Sequence, residues 1–257
     1  MKIPALFLSH GAPTLAVQET HETHAWAQLA HDSPRPREIL VISAHWDTDA
    51  PVASIAPQPA TIHDFHGFPR ELYEQRYPVP GAPQLGERAA SLLVKAGIAC
   101  TLDPQRGLDH GAWVPLKWMY PDADIPATQL SVQSRRGPRH HYAMGQALAP
   151  LRDEGVLVLA SGGIVHNLRE IQRMGSVVAT WAHEFNDWMA ANVAAGKIEE
   201  LLNYRERAPS AARSHPTDEH LEPFFVALGA GGLPGKRLEL GITMGSLGMD
   251  SYVFGGS

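Results

Sequence analysis

The chain has 257 residues, of which 44% are hydrophobic, and its formal net charge is −6 at pH 7. This length and composition suffice for one α/β domain with a large buried core. The negative charge and the lack of basic runs in the sequence argue against nucleic acid as a main partner. Cys100 is the only cysteine beside 14 histidines, which excludes an internal disulfide and a cysteine-based metal cluster. A bound metal would therefore have nitrogen and oxygen ligands.

The chain begins with two predicted strands that each end near a histidine. The first is the apolar run 5–9, which is followed by His10, and the second is the run 39–42, which leads through small residues to His45. A helix is predicted between them over 16–31. Short runs of β-branched and large apolar residues are typical of buried parallel strands. Ligands of an open α/β sheet bind outside the carboxyl ends of its strands, so both histidines are candidates for one metal or acid/base site, with a packing role as the alternative.

The middle of the chain alternates between predicted strands and helices around one long loop. Residues 57–81 are rich in proline, glycine, histidine and aromatic side chains and lack strong periodicity, which is typical of a functional loop. The other predicted elements of this part are strands at 51–56, 98–102 and 128–132 and helices at 83–96 and 138–153.

A third strand with a histidine near its end is predicted at 156–161, and it leads through two glycines to His166. The last predicted elements are helices at 177–195 and 217–229 and a strand at 238–244. His220 falls in the first turn of the second of these helices. Since no repeat or linker interrupts the chain, we predict a single domain over 1–257. The predicted fold class is α/β, with a central mostly parallel sheet, helices on both faces and a metal site at the carboxyl ends of the strands.

Several common catalytic signatures are missing from the sequence. The His-Glu-x-x-His zinc-protease motif, the Gly-x-Ser-x-Gly elbow, the phosphate loop and the Gly-x-Gly-x-x-Gly fingerprint do not occur, which disfavours nucleotide cofactors and a serine hydrolase. Histidines and carboxylates without cysteine suit Zn(II), Fe(II), Mn(II) or Cu(II), and spacing does not choose among these metals. The candidate histidines are His10, His45, His63, His66, His110, His166, His215 and His220.

Seven spaced segments carry a family resemblance. They are Phe7-Leu8-Ser9-His10-Gly11-Ala12-Pro13, Ser43-Ala44-His45-Trp46, Thr61-Ile62-His63-Asp64-Phe65 with Gly67-Phe68-Pro69, Leu108-Asp109-His110-Gly111-Ala112-Trp113, Tyr120-Pro121-Asp122-Ala123-Asp124-Ile125-Pro126, Ala160-Ser161-Gly162 with Val165-His166-Asn167-Leu168, and Pro216-Thr217 with Glu219-His220. In this order the segments resemble the motifs of the DODA-type extradiol ring-cleavage dioxygenases, which are 4,5-DOPA dioxygenase relatives in the class III extradiol (LigB) superfamily.

The resemblance implies a metal site. Its ligands would be His10, His45 and His220, with His166 at the same site as a fourth ligand or as an acid/base group. Enzymes of this class are usually described with two histidines and one glutamate on Fe(II), so Glu219 competes with His220 for the third position. Fe(II) is expected for turnover, while an all-histidine set also suits Zn(II).

The resemblance further implies that the protein opens the ring of a DOPA-like catechol with O2. His166 and His110 would be the catalytic groups, because a histidine with an ordinary pKa of about 6.5 serves as both base and acid near neutral pH. We expect substrate contacts from His63, which belongs to one of the motifs, and from aromatic residues that suit a planar substrate. The aromatic candidates are Trp46, Phe65, Phe68, Tyr73 and Trp113.

Two other function classes remain open at this stage. They are a zinc-dependent hydrolase on the same scaffold and a ligand- or peptide-binding member of the superfamily that performs no chemistry. The expected partners are a small aromatic diol and O2, without nucleic acid or membrane, for a cytoplasmic monomer or homodimer. His66 is expected at the surface or the rim of the pocket, and a functional role for His215 is doubtful. The remaining histidines are expected to be structural or solvated, namely His21, His24, His31, His140, His141 and His183.

Overall fold

Short apolar runs build a mixed eight-stranded sheet in a computed structural model, which describes residues 2–256. The strands in chain order are β1 (Ala5–Ser9), β2 (Glu38–Asp47), β3 (Val52–Ser54), β4 (Thr101–Asp103), β5 (Ala127–Val132), β6 (Val156–Gly162), β7 (Gly235–Leu238), β8 (Ile242–Thr243), β9 (Leu247–Gly248) and β10 (Ser251–Phe254). The order across the sheet is β4-β3-β5-β2-β6-β1-β10-β7, while β8 and β9 form a separate hairpin.

The four central strands of the sheet, β5, β2, β6 and β1, run parallel to one another. Antiparallel pairing begins on both sides of them, where β3 pairs with β5 and β10 pairs with β1. The carboxyl ends of β1, β2 and β6 therefore meet at one edge of the sheet, and this edge is where the histidines of the candidate site are found.

Helices cover both faces of the sheet. They are α1 (His21–Asp32), α2 (Arg70–Glu74), α3 (Pro83–Lys95), α4 (His110–Met119), α5 (Gly137–Leu148), α6 (Thr180–Ala194), α7 (Ile198–Leu202), α8 (Tyr204–Arg207), α9 (Ala211–Ser214) and α10 (Glu222–Gly231). None of the helices within residues 2–256 combines the length and the apolar character needed to cross a bilayer.

Alternate residues of the central strands supply two separate cores. In β1, Leu6 and Leu8 point to the face that is covered by α1 and α4, whereas Phe7 points to the face covered by α3, α5, α6 and α10. This alternation follows from the two-residue period of a strand. Because both faces are covered, β6 is buried at every position, which is why it reads as a continuous apolar run in the sequence.

The predicted fold class is confirmed, since the structure is an α/β fold with a large and mostly parallel sheet between two helical layers. The predicted strand at 156–161 coincides with β6, and the predicted helix at 83–96 coincides with α3. The 138–153 helix is shorter than predicted: α5 ends at Leu148, and a 3-10 helix with Pro150 in its first turn follows.

The C-terminal elements correct two predictions. The helix predicted at 217–229 begins only at Glu222, because Pro223 occupies the first turn, where its missing N–H group costs nothing. His220 consequently lies in the turn before α10. The strand predicted at 238–244 was also wrong: β7 ends at Leu238, and the β8–β9 hairpin follows. The strand that pairs with β1 in the antiparallel direction is β10, which the sequence analysis did not predict.

Helix α4 was not predicted as a helix. It contains Pro115 in its interior, and an internal proline is an ordinary signal against a helix. The helix forms nevertheless because it is buried along almost its whole length, so that tertiary packing outweighs the local penalty.

Helices α5 and α10 pack closely at Gly145 and Gly229. This close contact leads to a prediction about stability. A side chain on Gly145 would overlap the carbonyl oxygen of Val226 in α10. We expect Gly145→Ala to lower the free energy of unfolding by about 1–3 kcal/mol, because backbone atoms must move apart. Urea denaturation measures this difference. The matched control is Gln146→Ala at the next, exposed position, which should change the stability by less than about 0.5 kcal/mol. Equal stabilities of the two variants would contradict the prediction.

Candidate metal and catalytic site

Five histidines from separate parts of the chain meet at the carboxyl edge of the sheet. His10 directly follows β1, His45 lies near the end of β2, His110 is the first residue of α4, His166 follows β6, and His220 precedes α10. The ring centroids of His45 lie 4.9 Å from His10, 4.0 Å from His110 and 4.9 Å from His220. The ring of His166 stacks on that of His220 at 3.5 Å. The predicted convergence of strand-end histidines is thus what the structure shows.

The orientation of His10 is set by a relay of hydrogen bonds. Pro115 has no N–H, so the carbonyl of Gly111, four residues earlier in α4, lacks its usual helical donor. The hydroxyl of Ser161 donates to this carbonyl instead. Ser161 Oγ lies 2.9 Å from His10 Nδ1 and, having donated its own hydrogen, accepts from that nitrogen. His10 therefore carries its hydrogen on Nδ1, which leaves the Nε2 lone pair free.

Asp64 orients two further histidines. Its Oδ2 accepts a hydrogen bond from His110 Nδ1 at 3.0 Å and lies 3.3 Å from His45 Nδ1. Its Oδ1 accepts from the backbone N–H of His110 at 2.9 Å. Burial raises the pKa of the Asp64 carboxyl, but the hydrogen bonds and the proximity of His110 outweigh it and lower the pKa to about 2. The carboxylate thus accepts the Nδ1 hydrogen of His110, and its charge close to Nδ1 of His45 favours the same tautomer there, so that both Nε2 atoms are free.

Glu219 orients His220 in the same way, through the Nδ1 atom of the ring. Its Oε1 lies 3.0 Å from His220 Nδ1 and also accepts from the hydroxyl of Thr217 at 3.0 Å. His166 differs from the other four histidines, since no hydrogen bond within residues 2–256 holds either of its ring nitrogens. Its backbone N–H is fixed by the carbonyl of Ser214 at 3.0 Å. His166 therefore has a fixed backbone position and ring nitrogens that are available for proton transfer.

The free nitrogens of His10 and His45 face each other in a way that suits a cation. The two Nε2 atoms are 3.0 Å apart. With both hydrogens on Nδ1, these are two lone pairs in close contact, which is unfavourable unless a positive charge binds both. Two ligands at right angles around an ion with metal–nitrogen bonds of about 2.1 Å would lie about 3 Å apart. Potential ligand atoms within reach of one another form two groups, His10 with His45 and His110, and His166 with Glu219 and His220.

A buried polar network fixes the start of α4 against β2. Asp109 is fully buried and accepts hydrogen bonds from Ser43 Oγ at 2.6 Å, Gln129 Nε2 at 2.7 Å and Arg106 at 2.8 Å. The close approach also requires a glycine at 111, because a side chain there would lie 2.5 Å from Ser43 Oγ and about 3 Å from the rings of His45 and His10.

Burial favours the uncharged form of four histidines of the cluster. It lowers the pKa of His45 to about 4, with a further contribution from the neighbouring His110, and it lowers the pKa of His166 to about 4 as well. The pKa values of His10 and His220 are also held well below the ordinary value, by burial first and by neighbouring histidines second. Neutral imidazole is the form that binds metals, so the cluster is in its ligand form at neutral pH.

A cavity of about 770 Å³ opens beside the five histidines. Phe68, one of the predicted substrate contacts, lines it together with Phe65. His66, expected at the surface or the rim, is exposed and also lines this cavity. Its other walls come from residues that the sequence analysis did not select, namely Pro13, Thr14, Gln18, Leu168, Ile171, Met174, Met244 and Leu247.

Four predicted substrate contacts do not line the cavity. The hydroxyl of Tyr73 donates to the carbonyl of Phe65 at 3.4 Å. Trp113 is fully buried in a core, and its indole N–H donates to the carbonyl of Ile62. Trp46 lies under the guanidinium of Arg106 at 5.0 Å. His63 is turned away, with Nε2 hydrogen-bonded to the carbonyl of Gln75 at 3.1 Å. These four side chains make packing or hydrogen-bond contacts within the protein, a role that composition alone does not distinguish from substrate contact.

His215, whose role was doubtful, is a structural residue. It is fully buried, and its Nε2 donates to the carbonyl of Ile164 at 3.0 Å. Asp64, Ser161 and Pro115 are the contributors that the sequence analysis did not identify. Asp64 and Ser161 stand within the quoted motifs beside selected histidines, and this adjacency was the available signal. Pro115 gave no such signal, because its effect depends on which carbonyl it leaves free.

Comparisons with known proteins show which proteins this chain is similar to. A family model described as "Catalytic LigB subunit of aromatic ring-opening dioxygenase" matches residues 4–255. A "4,5-DOPA dioxygenase extradiol" from Escherichia coli (strain K12) is 44% identical over 261 residues, which cover 99% of this chain and 95% of that protein. A protein of the same name from Beta vulgaris is 44% identical over 230 residues, 88% of this chain and 86% of that protein. A crystal structure of an uncharacterised Escherichia coli K12 protein aligns with a TM-score of 0.82 and 39% identity, over 99% of this chain and all of that one.

The lowered pKa values predict how the stability of the metal-free protein depends on pH. Unfolding returns His45 and His166 to an ordinary pKa of about 6.5, so between about pH 6.5 and 4 the unfolded chain binds protons that the folded chain does not. Stability is therefore greatest above pH 6.5 and falls as the pH decreases to 4, by up to roughly 3 kcal/mol for each group. Urea midpoints measured with a chelator at pH 7.5, 5.5 and 4.5 would show the fall. His166→Gln should make the urea midpoint depend less steeply on pH, whereas the control His183→Gln, at an exposed position, should leave this dependence unchanged. A midpoint that does not depend on pH would contradict the prediction.

Proposed function

The chain belongs to the family of the catalytic LigB subunit of aromatic ring-opening dioxygenases, and we propose that it is a metal-dependent extradiol dioxygenase that opens the ring of a catechol with O2. The observation that carries this proposal is the meeting of five imidazoles beside a cavity whose lining also includes apolar side chains. Relatives at 44% identity that bear the name 4,5-DOPA dioxygenase extradiol support the same reaction.

His10, His45 and His220 would hold the metal ion. Each of these imidazoles has an oxygen partner at Nδ1 and an unprotonated Nε2, which is the usual arrangement of a metal-binding histidine. Glu219 is committed to the Nδ1 hydrogen of His220, which favours His220 over Glu219 as the third ligand. The 3.0 Å separation of His10 Nε2 from His45 Nε2 suits ligands at right angles.

Iron is the metal that fits the proposed reaction. When bound, Fe(II) supplies open coordination positions where a catechol and O2 meet and a route for electron density between them. Zn(II) also suits an imidazole set, but it has no redox chemistry and would leave the protein without dioxygenase activity.

His166 and His110 would move the protons of the reaction. His166 has unrestrained ring nitrogens beside the cavity and would accept a proton from a catechol hydroxyl as the substrate binds. His110 also lines the cavity, and its Nδ1 hydrogen bond to Asp64 would stabilise the charged imidazolium after its Nε2 has taken up a proton. Both groups would return the proton during ring opening, since a histidine serves as base and acid in turn.

An oxygen-uptake experiment tests the proposed reaction. Protein stripped with a chelator and reloaded anaerobically with Fe(II) should consume O2 when a catechol is added and should release a yellow ring-opened product, whereas the Zn(II)-loaded protein should do neither. An oxygen electrode and an absorbance spectrum measure both effects. Equal rates with Zn(II), or hydrolysis of an ester without O2 uptake, would exclude the dioxygenase assignment and favour a zinc hydrolase.

Substitutions should separate metal binding from proton transfer. His10→Ala and His45→Ala should lose both the metal and turnover, because each removes a ligand nitrogen. His166→Gln should retain the metal while its kcat falls about 10²–10⁴-fold, which is the usual effect of losing a general acid/base. Metal analysis and initial rates measure the two properties, with His183→Gln on the exposed side of α6 as control. Full metal content in His10→Ala, or normal turnover in His166→Gln, would remove that residue from its assigned role.

A further inference from the structure

Pro115 stands inside α4, where a proline removes one backbone hydrogen bond of the helix. Its missing N–H leaves the carbonyl of Gly111 without the donor that a helix normally supplies four residues later. Pro115 and Gly111 are both buried, as is most of α4. A buried carbonyl requires a donor from elsewhere in the protein, because an unpaired one lowers the stability of the fold. The proline therefore creates a need for a hydrogen bond at one defined point.

The hydroxyl of Ser161 supplies this hydrogen bond from the centre of the sheet. Ser161 is fully buried in β6, where its backbone pairs with Leu8 of β1 on one side and Ser43 of β2 on the other. Both strands fix its position. Within residues 2–256 its Oγ has two hydrogen-bond partners, the carbonyl of Gly111 and Nδ1 of His10. The single hydrogen of the hydroxyl thus lies between two neighbours.

These two neighbours differ in what they donate and accept. A carbonyl oxygen only accepts, whereas an imidazole nitrogen donates or accepts according to its tautomer. All three groups are satisfied when the hydroxyl donates to Gly111 and His10 donates from Nδ1. An N–H at position 115 would remove this constraint, since the carbonyl would have its own donor and the hydroxyl would be free to donate to Nδ1. In that second tautomer Nε2 of His10 carries the hydrogen and has no lone pair for a metal.

We propose that Pro115 is a positioning residue of the metal site, which acts through Ser161 to keep His10 in the tautomer that binds a metal. The inference rests on the proposed role of His10 as a ligand and not on the reaction that follows. The helix loses a hydrogen bond at Gly111, and the histidine gains a defined lone pair at Nε2. Departures from the local rules of helix formation are expected at functional sites, where chemistry competes with stability.

The tautomer of His10 is directly observable in the metal-free protein. Proton–nitrogen correlation spectra of the imidazole rings distinguish Nδ1–H from Nε2–H, and His10→Ala identifies the signals that belong to His10. We expect the Nδ1–H tautomer in the unsubstituted protein and a mixture that includes Nε2–H in Pro115→Ala. A pure Nδ1–H tautomer in Pro115→Ala would overturn the inference.

Pro115→Ala should also weaken metal binding. We expect the Kd for Zn(II), measured by competition with a chromophoric chelator, to rise about three- to tenfold, the factor that corresponds to one neutral hydrogen bond. Val114→Ala is the matched control, since Val114 is the preceding residue, is also buried and leaves the backbone donors unchanged when substituted. The control should lower the urea midpoint and leave the Kd unchanged. An equal rise in both variants would indicate disturbed packing and would overturn the inference.

A double-substitution cycle shows whether the effect passes through Ser161. Ser161→Ala removes the hydroxyl, so that the residue at position 115 no longer influences the tautomer of His10. We expect Pro115→Ala to raise the Kd where Ser161 is retained and to change it by less than about twofold in the Ser161→Ala background. Equal changes in the two backgrounds would contradict the assigned route.

The outcomes separate this inference from the proposed function, because none of these measurements needs O2 or a catechol. If no catechol is opened but the tautomer and the Kd respond as expected, the proposed function fails and the role of Pro115 stands. If catechols are opened while Pro115→Ala changes neither the tautomer nor the Kd, the function stands and the inference fails. Full metal content in His10→Ala would overturn both the ligand assignment and the inference.

Discussion

The hydrogen bond from the Ser161 hydroxyl to the Gly111 carbonyl determines which nitrogen of His10 is free to bind a cation. It exists because Pro115 cannot donate to that carbonyl, and it directs the remaining lone pair of the hydroxyl to His10 Nδ1. The three partners come from β1, β6 and α4, so the orientation of one imidazole depends on the relative position of three elements. The absence of a side chain at Gly111 allows α4 to come close enough for the bond to form.

Oxygen atoms close to Nδ1 orient other histidines of the cluster as well, and this explains why the cluster carries two carboxylates. Packing imidazoles together in a buried place is tolerated only while they stay uncharged, and the lowered pKa values of His10, His45 and His220 express that requirement. Asp64 and Glu219 accept the Nδ1 hydrogens and remain near the cluster as negative charges. Neutral lone pairs with carboxylates behind them form an environment in which a divalent cation is stabilised, so binding it offsets the cost of bringing these groups together.

The central part of this architecture could be predicted from the sequence, because buried parallel strands have a distinctive composition. The runs that form β1, β2 and β6 each lead to a histidine, and the rule that parallel strands end at one edge brings those histidines together. The fourth and fifth histidines were harder to place. His110 stands at the start of α4, which its internal proline concealed, and His220 lies in a turn that precedes α10 rather than within a helix. The family resemblance selected both residues where local pattern did not.

Side-chain roles were less predictable than positions, because a residue type is compatible with more than one environment. Trp113 and Phe68 are both aromatic residues in motif segments, yet one is fully buried in a core and the other lines the cavity. The difference arises from tertiary distances that no short window of sequence contains. For the same reason the apolar lining of the cavity was missed, since Ile171 and Met244 are 73 residues apart and are brought together by hydrogen bonds such as that from Gln172 to Met244.

The two halves of the cavity are built by different kinds of structure, which has a consequence for specificity. The polar end, which consists of the five histidines and Asp64, is fixed by strand ends, by α4 and by buried hydrogen bonds, so a change there disturbs several elements at once. The apolar lining is supplied by Leu168, Ile171 and Met174 of the segment 167–179 and by Met244 and Leu247 of the β8–β9 hairpin and its turn. A side chain such as Ile171 lines the cavity without contributing to the histidine network. A change in this apolar lining would therefore alter what the cavity accommodates without disturbing the hydrogen bonds that orient the histidines.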